Sequence, residues 1–279
     1  MTPNYDLITV EGFGEEWSRF HQSELCEDDL KGLFDCYFKI FPWSVLSEGT
    51  AGFDMGCGSG RWAKLIAPRV GRLYCIDASN KALEVAKKNL RQFDNCGFLE
   101  ASFESLPLEA NSMDWGYSLG VLHHIPDTAA GIKSCVSKLK PGAPFLLYIY
   151  YAFDNKPEWF RLMWRLTDAG RRVISQLPFR LRYFVTQIIA LLVYLPLSRI
   201  SLLPEWLGYS VDSFPLSVYR RRSFYTMRTD ALDRFGTVLE KRFTASQIRR
   251  MMEEAGLEKI QFSDAAPYWC AVGYKRPNE

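Results

Sequence analysis

Histidine is scarce in this sequence: His21, His123 and His124 are the only three, and the seven cysteines (Cys26, Cys36, Cys57, Cys75, Cys96, Cys135, Cys270) include no Cys-x-x-Cys pair. Neither a zinc site nor a disulfide framework is expected, no metal is assigned, and a reducing cytoplasm fits best. An excess of one charge is also lacking. The formal net charge of +2 is too small to argue for a nucleic-acid partner. The N-terminal MTPNYDLITVEGFGEEW has no cationic start and no continuous apolar run, so a secretory signal is not expected. The longest uncharged stretch, Tyr183 to Ser198, falls short of the roughly 20 residues that span a bilayer.

Apolar and aromatic residues are plentiful, at 48% and 15%, which favours a packed interior over disorder. A chain of 279 residues suits one core with a large insertion. Residues 27–41 place Leu30, Leu33, Phe34, Tyr37, Phe38 and Phe41 at three- and four-residue intervals, the period of a helix that Pro42 ends. From Thr50 the pattern changes to short apolar runs, which predict strands at 51–55, 72–77, 96–101, 113–119 and 144–150. Helical periods fill 60–68, 80–92 and 128–139. Strands alternating with helices imply right-handed crossovers, hence an α/β fold with a doubly wound, mostly parallel, Rossmann-like sheet.

That alternation stops after Tyr151 and resumes at Thr244, where Thr244 and Gln247 predict a capping box and Gly256 a helix end. Strand candidates follow at 257–263 and 268–275. Four segments result: an N-terminal helical cover over 1–48, a cofactor-binding core over 49–151, a largely helical insertion carrying the substrate region over 152–243, and the rest of the core sheet over 244–279.

The segment Phe53-Asp-Met-Gly56-Cys57-Gly58-Ser-Gly60 follows a strand and opens a helix, so its glycines permit a tight turn and close approach of a ligand. Asp77 ends the next strand, where a carboxylate can accept both ribose hydroxyls of a nucleoside. A dinucleotide loop would require glycine at the position of Arg61, so the spacing suits a sulfonium nucleoside better than a pyrophosphate.

Asp54-Met-Gly-Cys-Gly-Ser-Gly60, Ile76-Asp-Ala78-Ser79, Ser105-Leu-Pro-Leu108, Ser112-Met-Asp114, Gly120-Val-Leu-His-His-Ile-Pro-Asp127 and Leu139-Lys-Pro-Gly142 occur in this order. Together they resemble class I S-adenosylmethionine (SAM)-dependent methyltransferases, and look most like the branch that includes ubiquinone and menaquinone C-methyltransferases. The likeness covers about residues 50–150 and the Thr244–Lys275 end, and leaves out the insertion. It implies SAM as cofactor, with Gly56, Cys57, Gly58 and Gly60 around its methionine part, Asp54 ordering the amino group, and Asp77 and Ala78 at the ribose. Leu119 and Gly120 would lie near the transferred methyl. An acidic residue often found in the family is Ser102 here, so adenine would rest on backbone and on Phe103.

Methyl transfer from a sulfonium needs alignment above all, and a base only where the acceptor must lose a proton. His123 and His124 follow the fourth strand at the ligand-binding edge and are the candidate bases, against a packing role at the strand-to-helix turn. Tyr225, Arg228, Asp230 and Asp233 could order a substrate or form internal pairs, and the Arg220–Arg222 run could meet an anionic acceptor or simply be solvated. Phe13 to Trp17 would cover the cofactor or pack on the sheet edge.

Within 156–200, eight basic residues (Lys156, Arg161, Arg165, Arg171, Arg172, Arg180, Arg182, Arg199) face two acids (Glu158, Asp168), beside an apolar run from Tyr183 to Leu197. A helix apolar all round must be buried, in protein or in lipid. A lid or homodimer contact is the first expectation. The second is peripheral contact of 156–200 with the inner face of a membrane, giving access to a lipophilic acceptor. The function expected is methyl transfer to a small-molecule or lipophilic acceptor. Its alternatives are a SAM-binding protein that acts through partners without catalysis, and an NAD(P)-dependent oxidoreductase, which Arg61 disfavours.

Overall fold

Of the five apolar runs between Thr50 and Tyr151, the first, second and fourth are each followed by a helix that returns the chain across the sheet. In the computed structural model, which describes residues 4–22, 25–211 and 214–277, the strands are β1 (Ala51–Met55), β2 (Arg72–Asp77), β3 (Cys96–Glu100), β4 (Trp115–Leu119), β5 (Pro144–Tyr148), β6 (Leu257–Phe262) and β7 (Ala271–Lys275). They form one sheet in the order β3-β2-β1-β4-β5-β7-β6. The first five run parallel, whereas β7 is antiparallel to both β5 and β6. The sheet is thus doubly wound and mostly parallel, and its strand order reverses between β1 and β4, where open α/β sheets bind ligands.

Helices α1 (Leu7–Arg19) and α2 (Glu27–Tyr37) precede β1, and α3 (Ala63–Ile66), α4 (Asn80–Asn89) and α5 (Thr128–Lys138) alternate with strands. After β5 come α6 (Glu158–Ile174), α7 (Phe179–Ile189), α8 (Leu195–Ile200), α9 (Leu202–Trp206) and α10 (Phe224–Gly236), and α11 (Ala245–Glu254) leads into β6. The predicted capping box opens α11: Thr244 accepts from Gln247 N, and Gln247 accepts from Thr244 N.

Two central strands are locked by reciprocal aromatic-on-glycine contacts. Gly52 pairs with Trp115 and Phe53 with Gly116. A Cβ on Gly52 would stand 2.2 Å from the Trp115 ring, and one on Gly116 2.4 Å from Phe53. Only glycine lets each ring lie flat on the neighbouring backbone. Trp115 and Phe53 are fully buried, and each such ring contributes roughly 1.5–3 kcal/mol.

The chain divides into two compact units, Met1–Gln22 with Gly32–Ala152 and Leu239–Glu279 forming the first, and Ser23–Lys31 with Phe153–Val238 the second. This differs from a single N-terminal cover over 1–48 and an insertion over 152–243. Asp29 groups with the insertion because its carboxylate accepts from Ser223 N (2.8 Å) and Thr226 Oγ1 (3.1 Å) at the start of α10. Residues 239–243 join the core because Phe243 N donates to Tyr150 O (2.9 Å) and Ala152 N to Phe243 O (2.9 Å). Phe34, Phe38 and Phe41 are buried in the first unit, core residues as aromatic stripes at helical spacing usually are.

In the second unit, α7 runs through a π turn (Ala190–Tyr194) into α8. Its buried residues are Arg182, Thr186, Ala190, Tyr194, Ser198 and Ser201. Four-residue spacing drifts around an α-helix, and the π turn absorbs about 100° of that drift, keeping these side chains on one face. There Ala190 and Tyr194 pack on Met227 and Ala231 of α10. The remaining apolar surface turns outward. Only 28% of the most apolar 18-residue window in 179–206 is buried. The inward positions are small or polar, so the large apolar side chains have nowhere within the unit to go.

Candidate functional site

The site forms at the carboxyl ends of β1, β2 and β4. Gly56 and Cys57 donate to Ile76 O (2.7 and 3.0 Å), which folds the loop back onto β2. Gly56, Gly58 and Gly60 have φ of +77°, +54° and +74°, the left-handed region where a side chain is strained. Gly58 N donates to Asp77 Oδ2 (2.9 Å) and Ser79 N to Asp77 Oδ1 (2.9 Å). Each oxygen keeps a lone pair, so Asp77 can still accept two ribose hydroxyls. Ala78 lies between these contacts.

Asp54 is 1% exposed, and its Oδ2 accepts the Tyr117 hydroxyl at 3.0 Å. Burial lifts its carboxyl to about 8, the Tyr117 hydrogen bond works against that lift, and neighbouring Asp77 adds to it. Burial also raises Asp77, which the N–H groups of Ser79, Gly58 and Ala78 partly offset. Two acidic side chains on adjacent strands, with Arg61 the nearby cation acting on Asp54, suit a cationic ligand. Gly120, at φ +79°, has nothing within 4 Å of a would-be Cβ, so the end of β4 beside Leu119 is open for a ligand. Polarity, glycine cradle and open space together fit SAM.

Helix α1 lies over these loops. A Cβ on Gly58 would come within 2.9 Å of the Trp17 indole, and one on Gly14 within 2.5 Å of Ser79 Oγ. The Phe13 ring stands 4.9 Å from the His124 ring, and the Arg61 guanidinium 5.6 Å from the Trp17 ring centre. Phe13 and Trp17 thus pack against the turn after β4 and against the glycine loop. Phe103 is buried, 3.7 Å from a would-be Cβ on Gly131 of α5. Ser102 is half-buried at the end of β3.

His123 and His124 sit together in a short turn after β4, ring centres 3.8 Å apart. His124 Nδ1 donates to Leu239 O (2.7 Å), which makes Nε2 its proton-accepting nitrogen. His123 is fully buried and stacked on Tyr150 at 3.9 Å. Neither of its ring nitrogens has a hydrogen-bond partner among the described residues. Burial pushes its pKa well below the usual imidazole range, with His124 and Arg242 adding to the effect. Sequence reasoning missed the other side of this cluster. Glu240 pairs with Arg242 (2.8 Å), and the Arg242 guanidinium lies 5.0 Å from the Tyr150 ring centre. Nothing in Leu239-Glu-Lys-Arg-Phe243 marks it in advance, since long-range pairing alone brings it beside β5.

Tyr225, Arg228, Asp230 and Asp233 all lie on α10 in the second unit. Arg228 donates to Gln187 Oε1 (2.5 Å) and Tyr183 OH (2.9 Å), and Asp230 stands against the Tyr219 hydroxyl. Arg220 and Arg221 pair with Glu205 at 2.8 and 3.1 Å. Among the described residues no group of three His, Cys, Asp or Glu could hold a metal ion.

Comparison with known proteins gives concordant findings. The family model described as "Methyltransferase domain" matches residues 53–147. A ubiquinone biosynthesis O-methyltransferase of Nitrosospira multiformis is 32% identical over 162 residues, 55% of this chain and 63% of that protein. A demethylmenaquinone methyltransferase of Staphylococcus aureus is 33% identical over 100 residues, 34% of this chain and 41% of the relative. The chain thus spans less than two thirds of the length of these relatives. A solved Bacillus halodurans protein, described as a methyltransferase candidate, superposes with a TM-score of 0.50 at 16% identity, covering 85% of this chain and 72% of its own. At that identity the likeness is one of fold. Residues 53–147 therefore match the methyltransferase-domain family model, within a mostly parallel sheet of the class I methyltransferase fold.

Proposed function

We propose that the protein transfers a methyl group from SAM to a small lipophilic acceptor. The observation that carries this reading is the carboxylate–glycine–carboxylate loop, with Asp54 buried, Gly58 bonded to Asp77, and open space at Gly120. When bound, SAM supplies a methyl group on a sulfonium whose departure as a neutral thioether needs no acid. Asp54 balances the amino group, Asp77 holds the ribose, and α1 excludes water from the loop. These residues fix position, which supplies most of the rate in an in-line displacement.

Where the acceptor loses a proton, His124 Nε2 receives it, because the Leu239 carbonyl fixes the opposite nitrogen as the donor. His123 is too deeply buried to take a charge readily and serves instead as the ring against which His124 packs. The relatives named for ubiquinone and demethylmenaquinone favour a lipophilic acceptor. The seven free cysteines suit a reducing cytoplasm. Titration calorimetry with SAM and NAD, then transfer of labelled methyl to paired lipophilic and polar acceptors, tests the reading. It fails if NAD binds and SAM does not, and the lipophilic assignment fails if only polar acceptors are methylated.

A further inference from the structure

The helices of the second unit are inside out. In α6 the ion pair Asp168–Arg171 (2.7 Å) is buried, and Arg171 reaches on to Thr237 O (2.8 Å). Trp159, Leu162, Leu166 and Val173 occupy the exposed face instead, Leu166 being 69% exposed. Along 179–206 the inward residues include Arg182, Thr186, Ser198 and Ser201, while Phe184, Leu192, Leu203 and Trp206 face out, Trp206 at 84%. A soluble helix carries the reverse pattern. Exposed apolar area on this scale marks an interaction surface.

The charges around the surface indicate what covers it. Arg161, Arg165 and Arg172 follow one stripe of α6, roughly a quarter turn from the apolar stripe. Among the described residues of 156–206 the three acids are each already paired, Asp168 with Arg171 and Arg172, Glu158 with Arg161, and Glu205 with Arg220 and Arg221, which leaves a net basic surface. Trp159 and Trp206 have the amphipathic rings favoured at headgroup depth. A second copy of the chain would bring a like-charged arginine stripe to the contact, whereas anionic headgroups neutralise it. Spanning is disfavoured, because α10 carries Arg228, Asp230, Asp233 and Arg234 alongside the inward face.

We propose that the outward faces of α6 and of 179–206 dock in the plane of an anionic bilayer, apolar side chains in the interface and arginines among the headgroups. This inference is independent of the methyl acceptor. It also identifies which arginines matter. Arg171 and Arg182 are buried and bonded to backbone carbonyls, so they hold the unit together and do not meet lipid. Arg165, Arg172 and Arg180 are exposed.

The test is co-sedimentation of the full chain with vesicles of phosphatidylcholine alone, or with one part in four phosphatidylglycerol, at low and high salt. The wild type is expected to pellet with the anionic vesicles at low salt only. Each arginine near such a surface contributes roughly fivefold, so R165Q/R172Q/R180Q should weaken partition about a hundredfold. L192D, at an exposed position, should abolish it while leaving thermal stability unchanged. A wild type left in the supernatant at low salt overturns the proposal, as does pelleting that neither variant changes. So does a vesicle-free dimer, seen by light scattering, that L192D dissociates. SAM affinity measured on the same samples separates a failure here from a failure of the methyltransferase reading.

Discussion

Binding of SAM should release a proton from Asp54. The carboxyl is 1% exposed and burial lifts it to about 8, so at pH 7 the ligand-free protein holds it mostly neutral, roughly ten to one. A cationic ligand favours the carboxylate, and ionising it at pH 7 costs on the order of 1 kcal/mol of the binding energy. Affinity should therefore rise about tenfold per pH unit between 6 and 7. Calorimetry in phosphate and in Tris, whose ionisation enthalpies differ widely, should report close to one proton released. Asp54→Asn should abolish both the slope and the buffer dependence. The same group affects ligand-free stability. An unfolded carboxyl ionises near 3.8, whereas the folded one keeps its proton until about 8. Unfolding thus releases a proton in that window, and this contribution to stability, full below about 4, is lost as pH rises through 8. An affinity flat from pH 6 to 7, with equal heats in the two buffers, would refute the reasoning.

Three further outcomes follow from the site. Asp77→Ala should weaken SAM at least tenfold in equilibrium dialysis, since hydrogen bonds to a charged group are worth about 1.5–3 kcal/mol, and an unchanged dissociation constant would remove the ribose assignment. Gly58→Ala should lower the melting temperature and SAM affinity together, because φ of +54° costs a side chain roughly 1–2 kcal/mol and its Cβ meets Trp17 at 2.9 Å. Adding Trp17→Ala should recover the steric part alone. His124→Gln should slow transfer to an acceptor that loses a proton by about 10²–10⁴ with SAM affinity intact, and an unaltered rate would exclude it as the base.

The glycine loop, Asp77 and the strands of the parallel half were legible because each depends on neighbours in sequence: a period, a turn, a cap. Thr244 and Gln247 announced a helix start for the same reason. What lay beyond reach depends on contacts between distant segments. The antiparallel β7 between β5 and β6 is one instance, since alternation names strands without ordering them. Asp29 is another, drawn from the N-terminal segment to the start of α10 by Ser223 and Thr226. Arg171 and Arg182 counted as surface charge in the sequence, yet Thr237 O and Gly236 O draw them inward. Composition states how much charge a helix carries and not which way it points.

The π turn at Ala190–Tyr194 gives residue number, as distinct from residue type, a meaning in this segment. Its extra residue is taken up within the turn, so that α7 on one side and α8 on the other keep one angular phase. Removing one residue there would restore an unbroken α-helix with Leu195–Trp206 still in phase, whereas removing one from α7 would swing all that follows by about 100°. Ser198 and Ser201 would leave α10, and the large apolar side chains would press against it, although no other residue had changed. Single-residue deletions in α7 should then be far more disruptive than a deletion at the turn itself, the place in this stretch where chain length can vary.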